Sequence, residues 1–124
     1  MSTVLHLPAR PAAPVACDMS TARDTPEQRV ETYRRLFESA LLRCERRDDG
    51  VVFAFHAGAR ETVEDLARRE AACCPFLDYR VDLVGDELIW TIGNAAEHGS
   101  AYVVLDAFFA LPGDAGAQLR AQTR

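Results

Sequence analysis

The densest chemistry in this chain lies at the end of one helical segment, Leu66-Ala67-Arg68-Arg69-Glu70-Ala71-Ala72-Cys73-Cys74-Pro75-Phe76. On a helix, residues three and four apart share a face, which makes Glu70 a neighbour of both Cys73 and Cys74. Glu70 also falls on the apolar stripe of Val63, Leu66 and Ala67, where a carboxylate is costly unless something pairs with it. Adjacent thiols beside a half-buried carboxylate suit a soft-metal or metalloid site, or a thiol redox site. The same residues also suit a plain apolar helix end, a role that cysteine commonly fills.

Hg(II), Cu(I), Zn(II) and trivalent arsenic prefer thiolate ligands. Two adjacent cysteines rarely complete a site, so a further ligand must come from elsewhere in the chain. Cys17 is the best candidate, because it ends an N-terminal arm that could fold over the helix end. His56, Cys44, Asp18 and His98 are weaker ones. Three thiolates would suit trigonal Hg(II) or As(III), and an added nitrogen or carboxylate would suit tetrahedral zinc. The metal reading therefore rests on Cys17, Cys73 and Cys74, with Glu70 as ligand or tuning group. In the redox reading, Cys73 or Cys74 is the nucleophile and a protonated Glu70 moves the proton. That reading meets an electrostatic obstacle. A helix C-terminus and a neighbouring carboxylate both disfavour a thiolate, and Arg68, Arg69 and Arg80 offset this only in part. A bound cation reverses the obstacle.

The elements that must position these groups follow from pattern. Residues 1–16, with Pro8, Pro11 and Pro14, read as an arm without a fixed fold. Thr25-Pro26-Glu27-Gln28 announces a helix, with Thr25 as N-cap and Gln28 closing a capping box. Val30, Tyr33, Phe37, Ala40, Leu41 and Cys44 follow at helical spacing, which places Cys44 on a buried helical stripe. Asp48-Asp49-Gly50 is a turn. Val51–His56 alternates as a strand, with His56 on its outer face. A helix covers about 61–73 and stops at Pro75. Strands near 79–84 and 87–92 are joined by Gly85-Asp86, a two-residue hairpin signal. A last helix runs from about 97 to 110 and ends at Pro112-Gly113.

The expected fold is α+β, in the order α-β-α-β-β-α. A small mixed three-stranded sheet, one crossover of it parallel, carries helices on one face. The expected organisation is a flexible arm over 1–16, a single domain over 17–112 and a flexible tail over 113–124. A sheet of three strands leaves its edges exposed, which a homodimer could pair or cover.

At 124 residues the chain has the length of one domain. Its net charge of −5 argues against nucleic acid as a partner of this chain alone. No apolar run approaches the roughly 20 residues that span a bilayer, and residues 1–16 lack the apolar centre of a secretory signal. The expected compartment is the cytoplasm, where thiols stay reduced. His6, His56 and His98 read as solvated or packing residues. Arg34-Arg35, Arg46-Arg47 and Arg68-Arg69 are flanked by acids and read as solvated faces.

Residues from Cys17 to about Leu111 resemble a small domain associated with MerR-type heavy-metal-responsive regulators. The motifs that carry the resemblance are Ala16-Cys17-Asp18, Tyr33-Arg34-Arg35-Leu36-Phe37, Gly50-Val51-Val52-Phe53-Ala54-Phe55 and above all the Glu-x-x-Cys-Cys core at Glu70, Cys73 and Cys74. The resemblance implies soft-metal binding by Cys17, Cys73 and Cys74 with Glu70 nearby. The chain lacks the helix-turn-helix of those regulators. Three functions are thus expected in turn: a soft-ion binder for sensing, sequestration or transfer, a thiol enzyme, and a dimeric interaction module with structural cysteines.

Overall fold

The computed structural model describes residues 2–10, 12–94 and 99–122. Its elements are β1 (Ser2–Leu7), α1 (Pro26–Ala40), β2 (Leu41–Arg47), β3 (Gly50–His56), a short 3-10 turn at Ala57–Ala59, α2 (Arg60–Cys73), β4 (Asp78–Val84), β5 (Glu87–Gly93) and α3 (Ala101–Gln122). The five strands form one sheet in the order β1-β4-β5-β3-β2. Every neighbouring pair is antiparallel.

This α+β architecture overturns the mixed three-stranded sheet. Two strands escape the sequence pattern. β2 takes Leu41–Arg47, where the helical spacing carries α1 on to Cys44. Asp48-Asp49 closes a tight hairpin that pairs Arg47 with Gly50, so β2 zips along β3 and pairing outweighs helical periodicity. Gly50 is required there, since a Cβ would lie 2.7 Å from the Ile92 carbonyl oxygen. β1 takes Ser2–Leu7, read from sequence as arm, and pairs with β4 as an edge strand. The expected parallel neighbours β3 and β4 do run in the same direction, but β5 folds back into the gap between them. The Gly85-Asp86 hairpin holds, with Gly85 at φ +63°, a conformation glycine adopts without strain.

Val51, Phe53 and Phe55 share one face of the sheet with Tyr79, Val81, Leu88, Trp90 and Ile92, and all eight are buried. Each large apolar side chain removed from water stabilises the fold by about 1.5–3 kcal/mol. The other face turns His6, Arg43, Glu45 and Arg80 to solvent. α2 packs on β4 and β1, α3 on β2 and β3, and α1 against α3. Tyr33 of α1 stacks on Trp90 at 6.3 Å between ring centres.

The capping box of α1 forms as read. Thr25 Oγ1 accepts from the Gln28 N–H at 3.1 Å, and Gln28 Oε1 accepts from the Thr25 N–H at 3.0 Å. The buried stripe of α1 is Arg29, Tyr33, Leu36 and Ala40, slightly rotated from the expected one. α3 passes through Pro112 instead of ending there. The start of that helix read at residue 97, and His98 with it, lies outside the described residues. Among the described residues, no helix is long and apolar enough to cross a membrane.

Candidate functional site

The end of α2 explains how distant cysteines meet. A helix leaves its last carbonyls without intrahelical partners, and these need donors from elsewhere. Here the N-terminal segment and β4 supply them. The Asp18 N–H donates to the Cys73 carbonyl at 2.9 Å, and the Arg10 N–H to the Pro75 carbonyl at 2.8 Å. The Tyr79 hydroxyl donates to the Cys74 carbonyl at 2.9 Å. Cys74 is the C-cap residue, and its N–H still reaches the Glu70 carbonyl at 2.6 Å. Pro75 has no N–H to continue the ladder. Arg10 and Asp18 are thereby held at the helix end, and Cys17 comes to bond with Cys74 across 57 positions of sequence, with their Cα atoms 4.5 Å apart. Cys73 remains a free, buried thiol beside this disulfide.

Above the thiols sits a buried ion cluster centred on Arg29. Its guanidinium grips Asp24 with two bonds, Nε to Oδ2 at 2.6 Å and Nη2 to Oδ1 at 2.8 Å. Nη1 donates to Glu70 Oε1, and Nη2 lies 3.9 Å from Cys73 Sγ. Arg69 also reaches Asp24, at 3.2 Å. Arg29 and Glu70 are only 5% and 7% exposed, so each charge depends on the other. The two carboxylates respond differently. The bonds from Arg29 hold Asp24 down at about 2. Burial pushes Glu70 above the ordinary carboxylate range, and Arg29 pulls only part of that back. The buried Tyr33 hydroxyl lies near Glu70 and meets no partner at hydrogen-bonding geometry, yet it is close enough to help hold the Glu70 charge.

All four residues expected at the site line one pocket of about 270 Å³: Cys17, Cys73, Cys74 and Glu70. Its walls are almost wholly apolar. They come from Met19, from Val30 and Tyr33 of α1, and from Val104, Ala107, Phe108 and Leu111 of α3. A larger pocket, about 500 Å³, opens beside Thr32, Arg35 and His56, and no cysteine lines it. Of the weaker ligand candidates, Cys44, His56 and Asp18 do not join the cluster, and His98 lies outside the described residues. Cys44 stands on β2, and His56 is exposed at the end of β3. The Asp18 carboxylate turns to the Ser20 N–H at 2.8 Å.

The Glu70 carboxylate is engaged by Arg29. In the disulfide-bonded form no group of three or more His, Cys, Asp or Glu residues among the described residues is arranged to hold a metal ion. The donors that fit a soft ion are the three sulfurs, once the Cys17–Cys74 bond is reduced. The sequence reading missed Arg29, Asp24 and Tyr79. A signal for Arg29 existed, since it sits four residues before Tyr33 on the same helical face. A cation on one buried stripe and an anion, Glu70, on another are natural partners.

No family model matches this chain, and neither the curated proteins nor the solved structures contain a match to it. The resemblance to the MerR-associated domain rests on sequence motifs alone.

Proposed function

We propose that this protein captures soft metal or metalloid ions through the thiolates of Cys17, Cys73 and Cys74. The observation that supports this reading is that three sulfurs from two distant parts of the chain line a single pocket. Soft ions are recognised by such sulfur sets. A divalent ion on three thiolates leaves one net negative charge, which Arg29 can offset from beside Cys73. With Glu70 engaged, the set favours three-coordinate Hg(II) or As(III) over Zn(II), which takes a fourth ligand. Such capture would serve sensing, sequestration or transfer. In a reducing cytoplasm the Cys17–Cys74 bond opens and the site becomes competent.

The disulfide itself favours a second reading, thiol–disulfide chemistry, in which Cys73 is the free sulfur next to a bond it could exchange with. One experiment separates the two. Native mass spectrometry of the reduced protein with Hg(II), arsenite and Zn(II), with free thiols counted in parallel, should show one ion bound and three thiols masked. Cys17→Ser should abolish tight binding. Absence of any retained ion, with reversible loss of two thiols on mild oxidation, would reject ion capture in favour of the redox reading.

A further inference from the structure

Cys73 and Cys74 are buried and Cys17 is exposed, and all three line the same pocket. It is an almost wholly apolar pocket of about 270 Å³, walled by Val30 of α1 and by Val104, Ala107, Phe108 and Leu111 of α3. A bare ion held by three thiolates has no use for such a wall. An apolar cavity of about 150 Å³ is already enough for a benzene-sized molecule. The pocket therefore has the volume and the lining for one organic group standing on the ion.

Resting on the soft-ion reading above, we propose that the ligand class is trivalent organoarsenicals carrying one apolar group. The arsenic sits on Cys17 and Cys74, and the organic group enters the pocket beneath α3. These two sulfurs are close enough to bond to each other, so after reduction by a small cellular thiol they form a ready chelating pair. The step is a ligand exchange at constant oxidation state. R–As=O reacts with the Cys17 and Cys74 thiols, two As–S bonds form, and the arsenic-bound oxygen leaves with both thiol protons as water. Cys73 is the third sulfur at the same pocket and remains available to arsenite, which has no organic group.

Titration calorimetry of the full chain, reduced with a phosphine, tests this with phenylarsine oxide, methylarsine oxide and arsenite. A small dithiol measured in parallel supplies the intrinsic preference for phenyl over methyl. Burial of the ring should add about 10-fold or more to the phenyl preference beyond that reference. Ala107→Trp, which fills the pocket from an exposed helix position, should erase the added preference and leave arsenite affinity within about twofold. Leu111→Gln should weaken phenyl binding in the same direction without filling the space. A phenyl preference no greater than the dithiol's, with arsenite still bound, would overturn the organic-group proposal and leave the soft-ion reading standing. Failure of all three arsenicals to bind would overturn both.

Discussion

Cys44 and Cys73 are both free thiols packed on the helix-covered side of the same sheet, yet their surroundings share little. Cys44 sits on β2, registered opposite Phe53. Burial alone acts on it and pushes its thiol up to about 11. Cys73 lies where four parts of the chain converge: the N-terminal segment, α1, the end of α2 and α3. It has a guanidinium at 3.9 Å, a disulfide next door and a pocket in front. Burial makes a cysteine inert, whereas convergence of elements gives it partners. The chemistry of this chain is concentrated where the topology closes, away from the regular centre of the sheet.

The strongest way to break that contrast is to remove the charge at its centre. Arg29→Ala should cost about 3–5 kcal/mol in urea unfolding, because Asp24 and Glu70 lose the cation that compensates their burial. Next comes the Cys17–Cys74 bond. Reduction, or Cys17→Ser with Cys74→Ser, should lower stability by about 2–4 kcal/mol, as expected for a crosslink closing a long loop. A loss below about 0.5 kcal/mol would mean that the N-terminal segment is held by its backbone bonds alone.

Acid should then report on the ion cluster. Asp24 has its folded value depressed from 3.8 to about 2. Its contribution is therefore complete above 3.8 and disappears as the pH falls to about 2. Glu70 has the opposite sign. Its folded value lies above 4.5, so the cost of burying its charge is relieved as the pH falls toward 4.5. The stability profile should be flat or slightly rising on first acidification and steep only near pH 4 to 2. Asp24→Asn should remove much of the steep part. The smallest effect belongs to Cys44. Cys44→Val should change stability by less than about 1 kcal/mol and leave ion binding at the other three cysteines unaltered in the same native mass measurement. A large change in binding would erase the distinction between the two thiols.

Much of the central fold was legible in local pattern. The capping box at Thr25 and Gln28, the alternation of β3, the Gly85-Asp86 hairpin and the stripe Val63, Leu66, Ala67 and Glu70 are all short-range signals. β2 was not legible, because Leu41 and Cys44 fit a helical spacing as well as a strand until β3 lies alongside. β1 was not legible either. Val4-Leu5-His6-Leu7 has too little pattern to choose a partner, and only pairing with β4 gives it one. At the site, the cost of a buried Glu70 was readable from its stripe, but its partner was not, since Arg29 lies 41 residues away.

By itself the sequence determined which groups could do chemistry, Cys17, Glu70, Cys73 and Cys74, because residue type and helical spacing are local properties. It also determined where α2 stops, since Pro75 cannot continue a helix. Only the tertiary structure decided that Cys17 meets Cys74 and that Arg29 claims Glu70. It alone decided that α3 roofs the sulfurs with apolar side chains. Each of these depends on long-range closure. The open carbonyls at the end of α2 draw in the N-terminal segment, and packing of α1 on α3 brings Arg29 to Glu70, where each charge compensates the burial of the other.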